Sequence, residues 1–71
     1  MPPLTAKQRL VLRFIWDYKI ENGWPPTVRE IGKHFGINSP NGVVCHLKAL
    51  EEKGRIVRSE NISRGIRLLI A

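Results

Sequence analysis

The sequence predicts a mainly α-helical fold of the α+β kind: a three-helix bundle followed by a two-stranded β-hairpin. Three observations predict it. The pattern Ser/Thr-x-x-Glu/Gln, in which a hydroxyl and a side-chain carbonyl or carboxylate each satisfy an orphan backbone N–H, occurs at Thr5-Ala6-Lys7-Gln8 and again at Thr27-Val28-Arg29-Glu30. A third helix start is marked by Ser39-Pro40. Beyond Lys53-Gly54 the apolar residues change from helical spacing to alternation. At 71 residues the chain is one domain, 1–71, with a small core.

The first helix runs without Pro or Gly over 6–22. Val11, Phe14, Ile15 and Tyr18 recur at i, i+3, i+4 and i+7 and form its inner face. Asn22-Gly23 stops it, and Pro25-Pro26 prevents continuation. The second helix is about two turns long, from the Thr27 box through Phe35, with Val28, Ile31 and Phe35 inward and Gly36 as its stop. The third begins at Ser39 as N-cap and Pro40 at the first helical position. It buries Val43, Leu47 and Leu50 and ends at Lys53-Gly54. Residues 55–58 and 64–70 read as strands, the second with Ile66, Leu68 and Ile70 on one face. The polar stretch 59–63 is the hairpin loop.

Lys and Arg outnumber Asp and Glu by 12 to 6, a net charge of +6. An excess of that size in so small a body implies a polyanionic partner, most simply nucleic acid. The lone Cys45 excludes an internal disulfide, and Cys45, His34 and His46 are too few for a structural zinc site; no metal or cofactor is expected. No run approaches the length of a membrane span, and the first residues do not form a signal peptide, so the cytoplasm is the expected compartment. Enzyme activity is not expected. Cys45 and His46 are neighbours, pointing about 100° apart on a helix, and cannot act as nucleophile and base. His46 reads as a packed, hydrogen-bonded side chain, and His34 as a surface residue at a helix end with a phosphate contact as its sharper alternative.

Only Gly36-Ile37-Asn38 joins helices two and three. Two short helices across a tight Gly turn form a helix-turn-helix, whose second helix can enter a DNA major groove. Gly32, four residues before the turn, allows the two helices to cross closely. With the following ribbon, the pattern is a winged helix-turn-helix. On the third helix, Asn41, Val44, Cys45 and Lys48 form a second face. Asn can pair with adenine N6 and N7, and small apolar groups can meet a thymine methyl. Ser39 and Gly42 let the backbone approach phosphate. Ser39, Asn41, Val44, Cys45 and Lys48 are therefore the candidate base contacts on a recognition helix spanning 39–53.

The charge lies elsewhere. Residues 1–36 carry a net +3, residues 39–52 a net −1, and residues 53–71 a net +4. That division predicts phosphate clamping by the wing and helix ends and base reading by a near-neutral helix. Thr27, Lys53, Arg55, Arg64 and Arg67 are the candidate phosphate contacts. Arg64, beside Gly65, is the leading one, whereas a solvated strand position explains Arg58 and Arg67 as well as contact does. Leu10, Leu12, Trp16 and Ile20 make the first helix apolar on more than one face, which core and edge packing would explain. The alternative is a patch for a protein partner, and with it a winged-helix interaction module without a DNA role. RNA is a weaker option, because no aromatic stacking platform is evident.

Leu4-Thr5 with Gln8, Pro25-Pro26-Thr27 with Glu30-Ile31, Gly36, and Ser39-Pro40-Asn41 resemble the N-terminal DNA-binding domain of LexA-type SOS repressors. So do His46-Leu47-Lys48-Ala49-Leu50, Lys53-Gly54 and Ser63-Arg64-Gly65-Ile66-Arg67-Leu68-Leu69. The match runs from about Leu4 to Leu69. It implies repression of DNA-damage-response genes through a palindromic operator bound by a dimer, with Ser39 and Asn41 as recognition contacts. Val44 and Cys45 stand where the best-known relatives carry two acidic residues, so no operator sequence is carried over. Whole repressors of this type continue into a dimerising domain with a Ser/Lys self-cleavage dyad. The expectation is therefore the DNA-binding part of such a repressor or a stand-alone phage or mobile-element regulator, in either case mainly monomeric, binding a half-site weakly and pairing on a palindrome.

Overall fold

Thr5 begins the first helix. Its hydroxyl accepts the Gln8 N–H at 3.1 Å, and its own N–H donates to Gln8 Oε1 at 3.0 Å. The computed structural model describes residues 3–59, 62 and 64–69. Within them the order is α1 (Ala6–Asn22), α2 (Val28–Phe35), α3 (Pro40–Glu52), β1 (Ile56–Arg58) and β2 (Ile66–Leu68). The expected architecture of three helices and an antiparallel ribbon is the observed one. Ile70, expected on the inward face of the second strand, and Glu60, Asn61 and Ser63 of the expected loop lie outside the described residues.

Each helix contributes to one core, α3 with its whole expected stripe and α1 and α2 with part of theirs, and Tyr18, expected on the inner face of α1, is half-buried outside it. Val11 and Ile15 come from α1, Ile31 from α2, and Val43, Leu47 and Leu50 from α3; Ile56 and Ile66 close it from the ribbon. Phe14, Val28, Phe35 and Leu12 pack at its edge. The rest of the apolar surface of α1 does not pack as expected: Leu10, Trp16 and Ile20 are exposed, Ile20 to 67%.

The turn between α2 and α3 is closed by the Ile37 N–H donating to the Gly32 carbonyl at 2.9 Å, with Gly36 left-handed at φ 69°. The same geometry shows why residue 32 is glycine. A Cβ there would lie 2.9 Å from the Ile37 carbonyl oxygen and 3.3 Å from Val43 Cγ2. At α3 one expectation fails. Ser39 occupies the N-cap position, but its hydroxyl makes no cap hydrogen bond. The N–H of Gly42 instead bonds the Ser39 carbonyl at 3.0 Å, and Pro40 has no N–H to satisfy. Gly42 faces inward, where a Cβ would meet Ile37 Cγ2 at 2.8 Å.

Both strands are shorter than expected. The Arg55 N–H is committed to the Leu50 carbonyl at 2.9 Å as α3 unwinds, so pairing begins at Ile56. At the other end, the Gly65 N–H turns back to Ile62 O at 3.1 Å. Three pairs remain: Ile56 with Leu68, Val57 with Arg67, and Arg58 with Ile66. The register turns Ile56 and Ile66 into the core and places Val57 and Arg67 on the opposite face.

Candidate nucleic-acid interface

The buried stripe of α3 fixes what its other side presents. With Val43, Leu47 and Leu50 inside, Asn41, Cys45 and Lys48 are exposed and Val44 is half-buried beside them. Ser39, Pro40 and Asn38 are exposed at the start of the helix, where the Ser39 hydroxyl is left over from capping. All five candidate base contacts thus share one surface built from the start and outer face of α3. The groove beside it, between α2 and α3, is bordered by Arg29, Asn38, Ser39 and Pro40. Arg29 is exposed there and was not singled out from the sequence, since a cation at the second position of a helix carries no local signal.

The candidate phosphate contacts divide. Arg55 and Arg67 are exposed, Arg67 on the outer face of the ribbon. Lys53 and Arg64, in contrast, are both engaged within the molecule. Lys53 Nζ donates to Gln8 Oε1 at 2.6 Å and to the Pro3 carbonyl at 3.0 Å, tying the end of α3 to the start of α1. Gln8 therefore serves the Thr5 cap and the lysine together. Thr27 is half-buried as the N-cap of α2, its hydroxyl accepting the Glu30 N–H at 3.1 Å.

Arg64 is the more heavily engaged of the two. Its guanidinium forks onto Glu30, Nη1 to Oε1 at 2.8 Å and Nη2 to Oε2 at 3.2 Å, and Nη1 also donates to the Pro25 carbonyl at 2.8 Å. The Tyr18 and Trp24 rings lie 5.9 and 5.8 Å from its Cζ, within range of a cation–π attraction. Glu30 Oε1 also accepts the Thr27 N–H, and Oε2 accepts the Tyr18 hydroxyl, each at 2.8 Å. The Arg64 hydrogen bonds, followed by the Thr27 N–H, hold the Glu30 carboxyl down to about 2 against the opposing effect of burial. The Arg64 guanidinium is raised in return, chiefly by its hydrogen bonds to Glu30. Sequence reasoning found Glu30 only as a cap, because its partner lies 34 residues away.

His34 is exposed and stacks on Phe14 at 4.1 Å between ring centroids, while His46 is half-buried on α3. Among the described residues no group of three His, Cys, Asp or Glu side chains converges to hold a metal ion, and no helix is long and apolar enough to cross a membrane.

The family model for the LexA DNA-binding domain matches residues 1–65. A LexA repressor of Geotalea uraniireducens is 52% identical over 69 residues, covering 97% of this chain and 34% of the relative. A LexA repressor of Leptospira biflexa is 54% identical over the same coverage. One from Sorangium cellulosum is 51% identical, covering 94% of this chain and 29% of the relative. The chain spans about a third of the length of these relatives. The helix-turn-helix, the ribbon behind it and matches of this extent place the chain in the LexA DNA-binding domain family.

Proposed function

We propose that this domain binds double-stranded DNA with sequence preference, as the DNA-reading part of a LexA-like transcriptional repressor of DNA-damage (SOS) response genes. The observation that carries the proposal is the surface of α3. Its inner stripe is fully committed to the core, and its outer face presents Asn41, Cys45 and Lys48, with Val44 half-buried beside them, next to a helix start whose Ser39 hydroxyl is left uncapped. A helix standing on a helix-turn-helix with that face outward suits a major groove. Asn41 would read adenine, Val44 and Cys45 would meet thymine methyls, and Ser39 and Lys48 would flank them. Arg55 and Arg67 would hold phosphates, joined by Arg29 at the rim of the groove. Lys53 and Arg64 are not placed in that set, because each already holds a partner within the molecule, Lys53 on Gln8 and Arg64 on Glu30. The operator would be palindromic, with two domains pairing on it in the cytoplasm.

Selection of bound duplexes from a randomised library, followed by footprinting, tests this reading. The expected result is a consensus half-site repeated in inverted orientation, with a spacing that reports the dimer geometry. Equal affinity for selected and scrambled duplexes removes the readout claim, and single half-sites alone remove the palindrome.

A further inference from the structure

We propose that Arg64 and Glu30 are a positioning pair: their ion pair locks the wing to the start of the helix-turn-helix, so that wing and recognition helix meet one duplex as a rigid body. The inference rests on the DNA-binding reading above.

Two three-residue strands are a weak anchor, since an isolated hairpin is marginal in water. Ile56 and Ile66 seat the ribbon on the core, but apolar contacts are non-directional and tolerate a change of tilt. The fork of Arg64 is directional, and it sits at the loop end of the ribbon, two residues before β2. Its receptor is already immobile. The Glu30 carboxylate also accepts the Thr27 N–H and the Tyr18 hydroxyl, independently of the arginine. The Pro25 carbonyl takes a further guanidinium N–H from the segment leading into α2. One side chain of the wing thereby reaches α1, the preceding loop and the first turn of α2.

The pair can be separated from a direct phosphate contact by a sign. Neutralising Glu30 removes an anion from a DNA-binding domain, so through charge alone it should tighten binding. As half of a lock, its loss should weaken binding. Glu30→Gln keeps Oε1 for the Thr27 N–H and replaces the second acceptor of the fork with a donor.

The test measures affinity for the tightest duplex selected with the wild-type domain, using Glu30→Gln, Arg64→Met, the double variant, and Glu21→Gln as a charge control, all at a temperature where thermal melts show each folded. Glu30→Gln and Arg64→Met are each expected to bind about tenfold more weakly, within the range for residues of one network. The double variant should be no weaker than the weaker single, and Glu21→Gln should bind as the wild type or slightly better. In the free domains, NOEs from the Arg64 side chain to the Trp24 and Tyr18 rings should vanish in Glu30→Gln while core methyl NOEs persist, a change that simple loss of stability would not produce.

Binding by Glu30→Gln as tight as or tighter than wild type overturns the proposal, as does multiplication of the two single effects. Should Glu30→Gln fail to fold, Arg64→Lys carries the test: it keeps the charge and loses the fork, and wild-type affinity from it overturns the lock. A wild-type domain that binds no duplex overturns the DNA-binding reading and the lock together. Normal wild-type binding with an unaffected Glu30→Gln overturns the lock alone.

Discussion

At the scale of single residues, two side chains make opposite uses of hydrogen-bonding capacity. Asn41 is exposed with its amide turned to solvent, on a helix whose other face is sealed. If it pairs with an adenine edge, Asn41→Ala should cost about 1–3 kcal/mol of specific binding and relax preference at one base pair, leaving scrambled-duplex binding unchanged. Uniform weakening across all sequences would instead make Asn41 a backbone contact. Glu30 is spent internally, each oxygen accepting two hydrogen bonds. Its carboxyl titrates near 2 in the fold against 4.5 unperturbed. The unfolded chain therefore takes up this proton first as pH falls, and protonation then favours unfolding. The stabilisation is complete above pH 4.5 and should be lost as pH falls to about 2. Urea denaturation across that window should show a steeper loss for wild type than for Glu30→Gln. Parallel curves would mean that the carboxylate gains nothing from its partners.

At the scale of elements, local chemistry was readable and distant pairing was not. Both capping boxes form as the spacing of Thr5 with Gln8 and Thr27 with Glu30 requires, because every atom involved lies within one helical turn. The α3 stripe is likewise the expected one, and those of α1 and α2 are buried at their centres, Val11 with Ile15 and Ile31, because periodicity reports which side faces inward. The strands were overextended because nothing in the residues 55 and 64 reveals that the backbone of one finishes a helix and the side chain of the other reaches across to Glu30. For the same reason the internal partners of Lys53 and Arg64, Gln8 and Glu30, are not legible from local pattern. Gly32 is the element-scale position where sequence and structure agree most closely. Its missing Cβ leaves room for a backbone carbonyl, an atom that cannot rotate aside. Gly32→Ala should therefore separate α2 from α3 and destabilise the domain by about 1–3 kcal/mol, as overpacking does. The helix propensity gain of Ala works in the other direction and is smaller. Thermal melts that show Gly32→Ala equal to or more stable than wild type would contradict the close crossing.

At the scale of the whole molecule, the net charge of +6 must be re-read once the internal pairs are known. Arg64 is paired with Glu30, Arg13 with Asp17 at 3.2 Å, and Lys53 donates to neutral oxygens while keeping its charge. Among the described strand residues the exposed cation is then Arg67, held by its register opposite Val57 on the face away from the core. Long-range attraction follows the full net charge, but the salt dependence of binding counts phosphates actually neutralised, at a slope of roughly −0.9 each. Arg67→Ala should reduce that slope by about 1 and weaken selected and scrambled duplexes alike. Asn41→Ala should leave the slope untouched, since a neutral amide displaces no counterion. Measured side by side from low to moderate salt, the two variants separate the charge of the molecule from its reading surface. If Arg67→Ala kept the wild-type slope, the wing would be a structural flap and the phosphate contacts would have to come from α2, the groove at Arg29 and Arg55. If both variants shifted the slope equally, the division between a charged wing and a near-neutral reading helix would fail.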